Sequence, residues 1–173
     1  MRISDEEFER LFSDYQREAF RLETFDDYTK SSNAESIRAF LAGEPQPADY
    51  NQEWVEEVRS GVNNGKRMYR VHVLSRPLTP YLRFELGWGY RKNATAGEEF
   101  FILDVTDKPN PLEGVPDYWA FDESIVVTMQ YGDGGSFIGA EKQPSVAEWL
   151  QLRDIALGQA VPFAEWWERY GSE

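Results

Sequence analysis

Near residue 66 the hydrophobic pattern of this chain passes from a helical period to a strand period, and that switch limits what it can fold into. Residues 68–74 (MYRVHVL) alternate, with Tyr69, Val71 and Val73 on one face and Arg70 and His72 on the other. Upstream, Ser4 and Glu7 have the spacing of a capping box, and Asp5, Glu6 and Glu7 fill a first turn where the helix dipole favours acids. Phe8, Leu11, Phe12, Tyr15, Ala19 and Leu22 follow at helical spacing and predict one long first helix. A second box, Ser32 with Glu35, predicts a short helix carrying Ile37, Phe40 and Leu41 that Gly43 closes. Trp54, Val55 and Val58 mark a third, stopping near Gly61 or Gly65. Residues 1–65 therefore read as a helical N-terminal part.

After the strand, Thr79 and Pro80 read as an N-cap and a first helical residue. Residues 81–90 (YLRFELGWGY) fit both periods; the helical reading is adopted, ending in the Gly87–Gly89 region or shortly after. Strands are predicted over 100–105, 118–121 and 125–131. Gly132, Asp133, Gly134 and Gly135 then turn the chain into a hairpin that returns through 136–141. Ser145 with Glu148 predicts a late helix bearing Val146, Trp149, Leu150 and Leu152, interrupted by Pro162 before a last aromatic helical segment over 163–170. A strand–helix–strand step places parallel neighbours in one sheet, and the hairpin adds antiparallel ones. The expected fold is α/β or α+β: N-terminal helices, then a mixed sheet over 66–173 with a C-terminal hairpin and helix, in one domain of 173 residues.

Composition removes several chemistries. Six Trp and eleven Phe argue for a packed core rather than disorder. With no Cys, disulfides, thiol catalysis and cysteine-bound zinc are excluded. A net charge of −13 argues against general nucleic-acid binding. No apolar stretch approaches a membrane span, and residues 1–15 have no export pattern, so a cytoplasmic protein is expected and Asn93-Ala94-Thr95 is a chance match to a glycosylation sequon. No phosphate-binding loop, nucleophile elbow or spaced metal motif occurs, so no catalytic residue, cofactor or metal is assigned.

One stretch reverses the charge. Between residues 66 and 92, Lys66, Arg67, Arg70, Arg76, Arg83, Arg91 and Lys92 face a single acid, Glu85, with Tyr69, Tyr81, Phe84, Trp88 and Tyr90 among them. This strip is a candidate site for a small anion, held by Arg83 and Arg70 with His72 and the helix-start N–H groups near Thr79. The plainer alternative is that these arginines pair with the chain's own acids. His72, the only histidine, is a general base or anion ligand in one reading and a hydrogen-bonded structural residue in the other. Asp104 and Asp122, at or near strand ends, are secondary candidates for ligand or acid–base work, although Asp122-Glu123 more simply makes a tight turn.

Several segments together carry a resemblance: LFSDYQREAFRLETFDDY; Ser75, Pro77, Leu78, Thr79 and Tyr81 to Leu86; Asn93, Ala96, Gly97 and Glu98; DYWAFD; and the hairpin from Tyr131 to Glu141. Over nearly the whole chain these resemble an uncharacterised actinobacterial family of small acidic proteins, whose members are typically encoded beside helix-turn-helix regulators of the Xre type. At fold level the order of elements is similar to half of a phospholipase D-like domain. There the alignment puts Val115 and Asp117 where that family has its histidine and lysine, so the resemblance implies a catalytically empty version. The function expected is a non-enzymatic regulatory module that binds a protein partner, a DNA-binding regulator by that resemblance, with a small anionic ligand on the basic strip. The alternatives are a small hydrolase or transferase using His72, Arg83 and Asp104 or Asp122, and a toxin component of a two-gene module.

Overall fold

The computed structural model describes residues 1–172. Its elements are β1 (Arg2–Ile3), α1 (Asp5–Asp14), β2 (Glu18–Glu23), α2 (Ala34–Leu41), α3 (Gln52–Asn63), β3 (Arg67–Leu74), α4 (Pro80–Phe84), a π-helical turn (Glu85–Tyr90), α5 (Arg91–Ala94), β4 (Glu99–Asp104), β5 (Tyr118–Phe121), β6 (Ile125–Tyr131), β7 (Phe137–Lys142), α6 (Ala147–Gln159), β8 (Val161–Pro162) and α7 (Phe163–Tyr170). The strands form one eight-stranded mixed sheet in the order β1-β7-β6-β5-β2-β3-β4-β8. The adjacent strands β2, β3 and β4 are parallel, as the strand–helix–strand step requires, and the other pairs are antiparallel.

Each face of the sheet has its own cover. Phe20, Leu22, Tyr69, Val71, Val73, Leu103, Tyr118, Ala120 and Val126 are buried on one face, against Ala156 and Trp149 of α6. The opposite face carries Ala19, Met68, Trp119, Phe121 and Val127 under α1 and α3, and Leu74, Phe100 and Ile102 under α2, α4, the π turn and α7. Phe12 of α1 meets Trp54 of α3 at 6.0 Å and Trp119 of β5 at 4.9 Å, so the two helices lie side by side on the sheet.

The first helix is shorter than its periodicity predicts. Ser4 and Glu7 form the expected capping box, but the helix stops at Asp14 and residues 18–23 become β2, near the middle of the sheet. Ala19 and Leu22 fit a helical stripe and also fit two faces of a strand. The Asp122 carboxylate decides between them, accepting the N–H groups of Gln16, Arg17 and Glu18 at 2.7, 2.6 and 3.0 Å and holding the chain extended where β2 begins. The N-terminal part is thus helical with a central strand set inside it.

Two predicted caps also move. Asn33, not Ser32, caps α2, its side chain accepting from the N–H groups of Glu35 and Ser36. Ser145 Oγ reaches Glu148 at 3.3 Å, yet α6 starts at Ala147 without a side-chain cap. At 81–90 the helical reading holds: Thr79 caps α4 through Leu82 N–H, and the helix runs on past the Gly87–Gly89 region, through the π turn, to Ala94.

The β6–β7 turn is pressed against the loop after β2. Gly135 has φ +73°, and a Cβ there would fall on the Asp27 carbonyl and Tyr28 Cα, whereas Gly43, φ +74°, has open space around it. Gly43→Ala is expected to cost about 1 kcal/mol, the left-handed penalty alone, and Gly135→Ala to cost more than about 2 kcal/mol because backbone must also move. Urea unfolding of the two variants measures the difference.

Candidate functional site

The charged side chains of β2 and β3 point inward. Arg21 and Glu23 lie on the same face of β2 as Ala19, and Arg70 and His72 lie beside them on β3, under the helices. Burying ions is costly unless each finds partners, and here each does. Arg70 Nη1 donates to Glu23 Oε1 at 2.9 Å, and Arg70 Nε donates to Glu98 Oε2 at 2.7 Å. The other oxygen of Glu98 accepts from Trp54 Nε1 at 2.8 Å, which ties α3 into the group. Glu23 also accepts from the Tyr90 hydroxyl at 2.5 Å, and that hydroxyl lies 2.9 Å from His72 Nδ1. His72 Nε2 is 2.9 Å from the Phe25 carbonyl, so both ring nitrogens of a fully buried histidine are engaged.

A second buried group adjoins the first. Arg21 donates to Asp117 at 3.0 Å and to the Tyr131 hydroxyl at 2.8 Å. Asp117 also accepts from the Tyr28 hydroxyl at 2.5 Å and from Thr24 Oγ1 at 2.6 Å.

The π turn brings a further carboxylate to this network. It carries Glu85 at its start and Tyr90 at its end. Tyr90 faces β3, while Glu85 Oε2 accepts from the Tyr81 hydroxyl at 2.9 Å. The Tyr81 hydroxyl in turn lies 3.0 Å from Ser32 Oγ. Glu85 is only partly buried and lines a cavity of about 520 Å³ that opens between α2 and the loop before α3.

Environment drives the two glutamates apart. Burial alone would push Glu23 up, but Arg70, then His72 and Arg21, and the Tyr90 hydrogen bond bring it down to about 2. Burial pushes Glu85 up to about 7, and the negative charge of Glu23 adds to this against the pull of Tyr81 and Arg70. Arg70 is held well above the ordinary arginine value: burial opposes its charge, and Glu98 and Glu23 more than offset that.

The sequence-predicted anion site does not assemble. Arg70 and His72 do come together, but inside the network. Thr79 Oγ1 is used in capping Leu82 and donates to the Asp26 carbonyl at 2.7 Å. Arg83 is exposed on the outer side of α4, beside a separate hollow that includes Arg91 and Trp167. Much of the basic strip is turned on the protein's own groups: Arg67 pairs with Glu99, Arg76 with Asp104, Lys66 sits 4.5 Å over the Tyr15 ring, and Lys92 donates to the Ala48 carbonyl.

The two aspartates lie at opposite ends of the parallel strands. Asp104, at the end of β4, accepts from Arg76 at 2.6 Å and Trp166 at 3.0 Å and is held below the usual range; burial opposes this, and hydrogen bonds from Thr106, Trp166 and Arg76 outweigh it. Asp122, φ +55°, is a turn residue between β5 and β6, and its carboxylate reaches the start of β2. His72, Arg83, Asp104 and Asp122 therefore do not form one reaction centre. Among the described residues no group of three or more His, Asp or Glu is placed to hold a metal ion.

Glu23, Glu85, Glu98, Tyr81 and Tyr90 were missed by the sequence reading. The paired alternation of Arg21/Glu23 with Arg70/His72 was available to find part of the network, but assigning residues 15–22 to a helix concealed it.

The chain belongs to a family defined as a domain of unknown function (DUF6879), whose model matches residues 6–168. No curated protein matches it.

Removing one member of the buried network leaves its partners charged and dry. Arg70→Met is expected to destabilise by roughly 3–5 kcal/mol, whereas Arg67→Ala, which breaks a pair with both side chains 44% exposed, should cost about 1 kcal/mol or less. Chemical denaturation of both variants tests this. Glu85 predicts a pH effect of definite sign. Its folded-state value, about 7, exceeds the ordinary glutamate value of 4.5, so between these limits the folded form binds more protons and stability falls as pH rises. Glu85→Gln should remove a loss on the order of 3 kcal/mol, read by comparing urea midpoints of both proteins at about pH 5 and pH 8.

Proposed function

We propose that this protein is a non-enzymatic regulatory module that binds a basic protein partner through an acidic helical face. The observation that carries this reading is the partition of charge. Arg21 and Arg70 are committed inside, and Arg67 and Arg76 to nearby acids, while α1 and α3 turn carboxylates outward. Asp5, Glu6, Glu7, Glu9 and Asp14 on α1 have only Arg10 among them, and Glu53, Glu56 and Glu57 on α3 have only Arg59. All eight are exposed on neighbouring helices, and among the described residues none of Asp5, Glu6, Glu9, Asp14, Glu53 or Glu56 is in an ion pair. A face of this kind raises the encounter rate with a basic surface and repels nucleic acid.

A DNA-binding helix-turn-helix regulator has the required chemistry, since its own DNA-contacting surface is basic. Occupying that surface would place this protein in competition with operator DNA, in the cytoplasm. Among the described residues no helix is long and apolar enough to cross a membrane. The catalytically empty phospholipase D-like reading fits the same role, because Asp117 is spent on Arg21, Thr24 and Tyr28. Burial of His72 speaks against the hydrolase alternative, which needs that ring at a substrate.

The test is binding of the purified protein to a helix-turn-helix regulator of the Xre type, with and without that regulator's operator DNA. Affinity should fall at least about tenfold between low and physiological salt. The combined variant Glu6→Lys, Glu9→Lys, Glu56→Lys should abolish binding while leaving the thermal midpoint in place. Salt-independent binding, or binding untouched by these reversals, would overturn the acidic-face reading.

A further inference from the structure

The cavity beside the π turn is built for a positive charge. Its lining includes Ser32, Asp49, Tyr50, Phe84, Glu85 and Gly89, and no Lys or Arg. Glu85 is the deeper of its two carboxylates and Asp49 the exposed one. Glu85 Oε2 is taken by Tyr81, but Oε1 accepts no hydrogen bond from any described residue. That oxygen lies 3.1 Å from where a Cβ of Gly89 would stand, so the missing side chain leaves room for the carboxylate at the cavity wall. The nearby cation, Arg70, is already shared between Glu23 and Glu98. Tyr50 and Phe84 pack edge to face at 6.2 Å and bring two aromatic rings to the same space.

We propose that this cavity binds an organic cation, the ammonium head of an alkylamine, with Glu85 as counter-ion and the Tyr50 and Phe84 rings around its alkyl carbons. An anion would meet two carboxylates with no cation to balance them. A hard metal ion needs a shell of about six or more oxygens, and here aromatic rings occupy part of the wall. An alkylammonium meets both demands, since its charge pairs with Glu85 and its adjacent methylenes and charge are favoured by ring faces. Burial first, and the negative charge of Glu23 after it, raise Glu85 to about 7, and the cavity lining supplies no Lys or Arg to offset them. The same head group is offered by a free small amine and by a lysine side chain of a partner protein. The inference stands on the cavity and does not rest on the acidic-face reading.

The experiment is a two-dimensional amide NMR titration of the full chain at about pH 8, where Glu85 is ionised. The probes are n-butylammonium, the neutral isostere 1-butanol, and a short lysine peptide with its ε-acetylated form. Saturable shifts centred on Tyr50, Phe84 and Gly89 are expected with butylammonium and not with butanol. Glu85→Gln should weaken them at least about tenfold, as loss of the paired charge demands. Ser36→Arg, which sets a cation of the chain's own at the cavity, should do the same. Shifts with the lysine peptide that vanish on acetylation assign the natural source to a partner's side chain; response to butylammonium alone assigns it to a free amine. The combined Glu6→Lys, Glu9→Lys, Glu56→Lys variant should still bind butylammonium, which separates this site from the partner face. Equal responses to butylammonium and butanol, no response to either, or ammonium binding unchanged in both Glu85→Gln and Ser36→Arg, would overturn the proposal.

Discussion

The structure hangs on the buried guanidinium of Arg70. One side chain joins Glu23 of β2, its own strand β3, and Glu98 at the entry to β4, so a single cation spans all three parallel strands. Glu98 passes the connection to α3 through Trp54, and Glu23 passes it to the π turn through Tyr90. An apolar core of the same volume would hold these elements as firmly, for desolvation offsets much of what buried ion pairs contribute. What the ions add is a penalty for any other register. A one-residue slip of β2 would send Arg21 and Glu23 to the face filled by Phe20 and Leu22, with no partner there.

That network also governs the surface. Arg21 and Arg70 are spent inside on Asp117, Glu23 and Glu98, so neither reaches the surface beside the carboxylates of α1 and α3. Meanwhile the one carboxylate of the basic strip, Glu85, is placed where it meets the negative charge of Glu23 and Glu98 with only a share of Arg70. The acidic face belongs to α1 and α3 and the cavity to α2, the loop before α3 and the π turn, so the two lie on largely different elements. The π turn is the local device that makes both contacts available: it aims Tyr90 at the strands and leaves Glu85 at the cavity wall. Such turns interrupt regular helix geometry and recur at functional sites.

Several elements were legible because local chemistry and tertiary packing agree. Ser4 with Glu7, Thr79 before Pro80, the alternation of 68–74 and the glycine turn after Tyr131 each specify their conformation through neighbours in sequence. Residues 15–22 are ambiguous in sequence because Tyr15, Ala19 and Leu22 satisfy a helix as well as a strand. The ligand that settles the matter, Asp122, lies about a hundred residues away, as the separations of 104 to 106 along the chain record. Ser32 has the local spacing of a cap on the same grounds, while its hydroxyl donates to the Tyr28 carbonyl and lies beside the Tyr81 hydroxyl instead.

The sequence by itself determined a mixed α/β architecture, a parallel β3–β4 step with a capped helix between, and an acidic chain with one basic strip, because period, caps and charge are local properties. Only the tertiary structure decided that Arg70 and His72 face inward to a glutamate network, that Arg83 stands apart from them, and that Glu85 is left at a cavity without a full counter-charge. The physical reason is that the fate of an ionisable side chain depends on what is folded against it. Glu23, Glu98 and Arg70 acquire their partners only when strands distant in sequence become neighbours in the sheet.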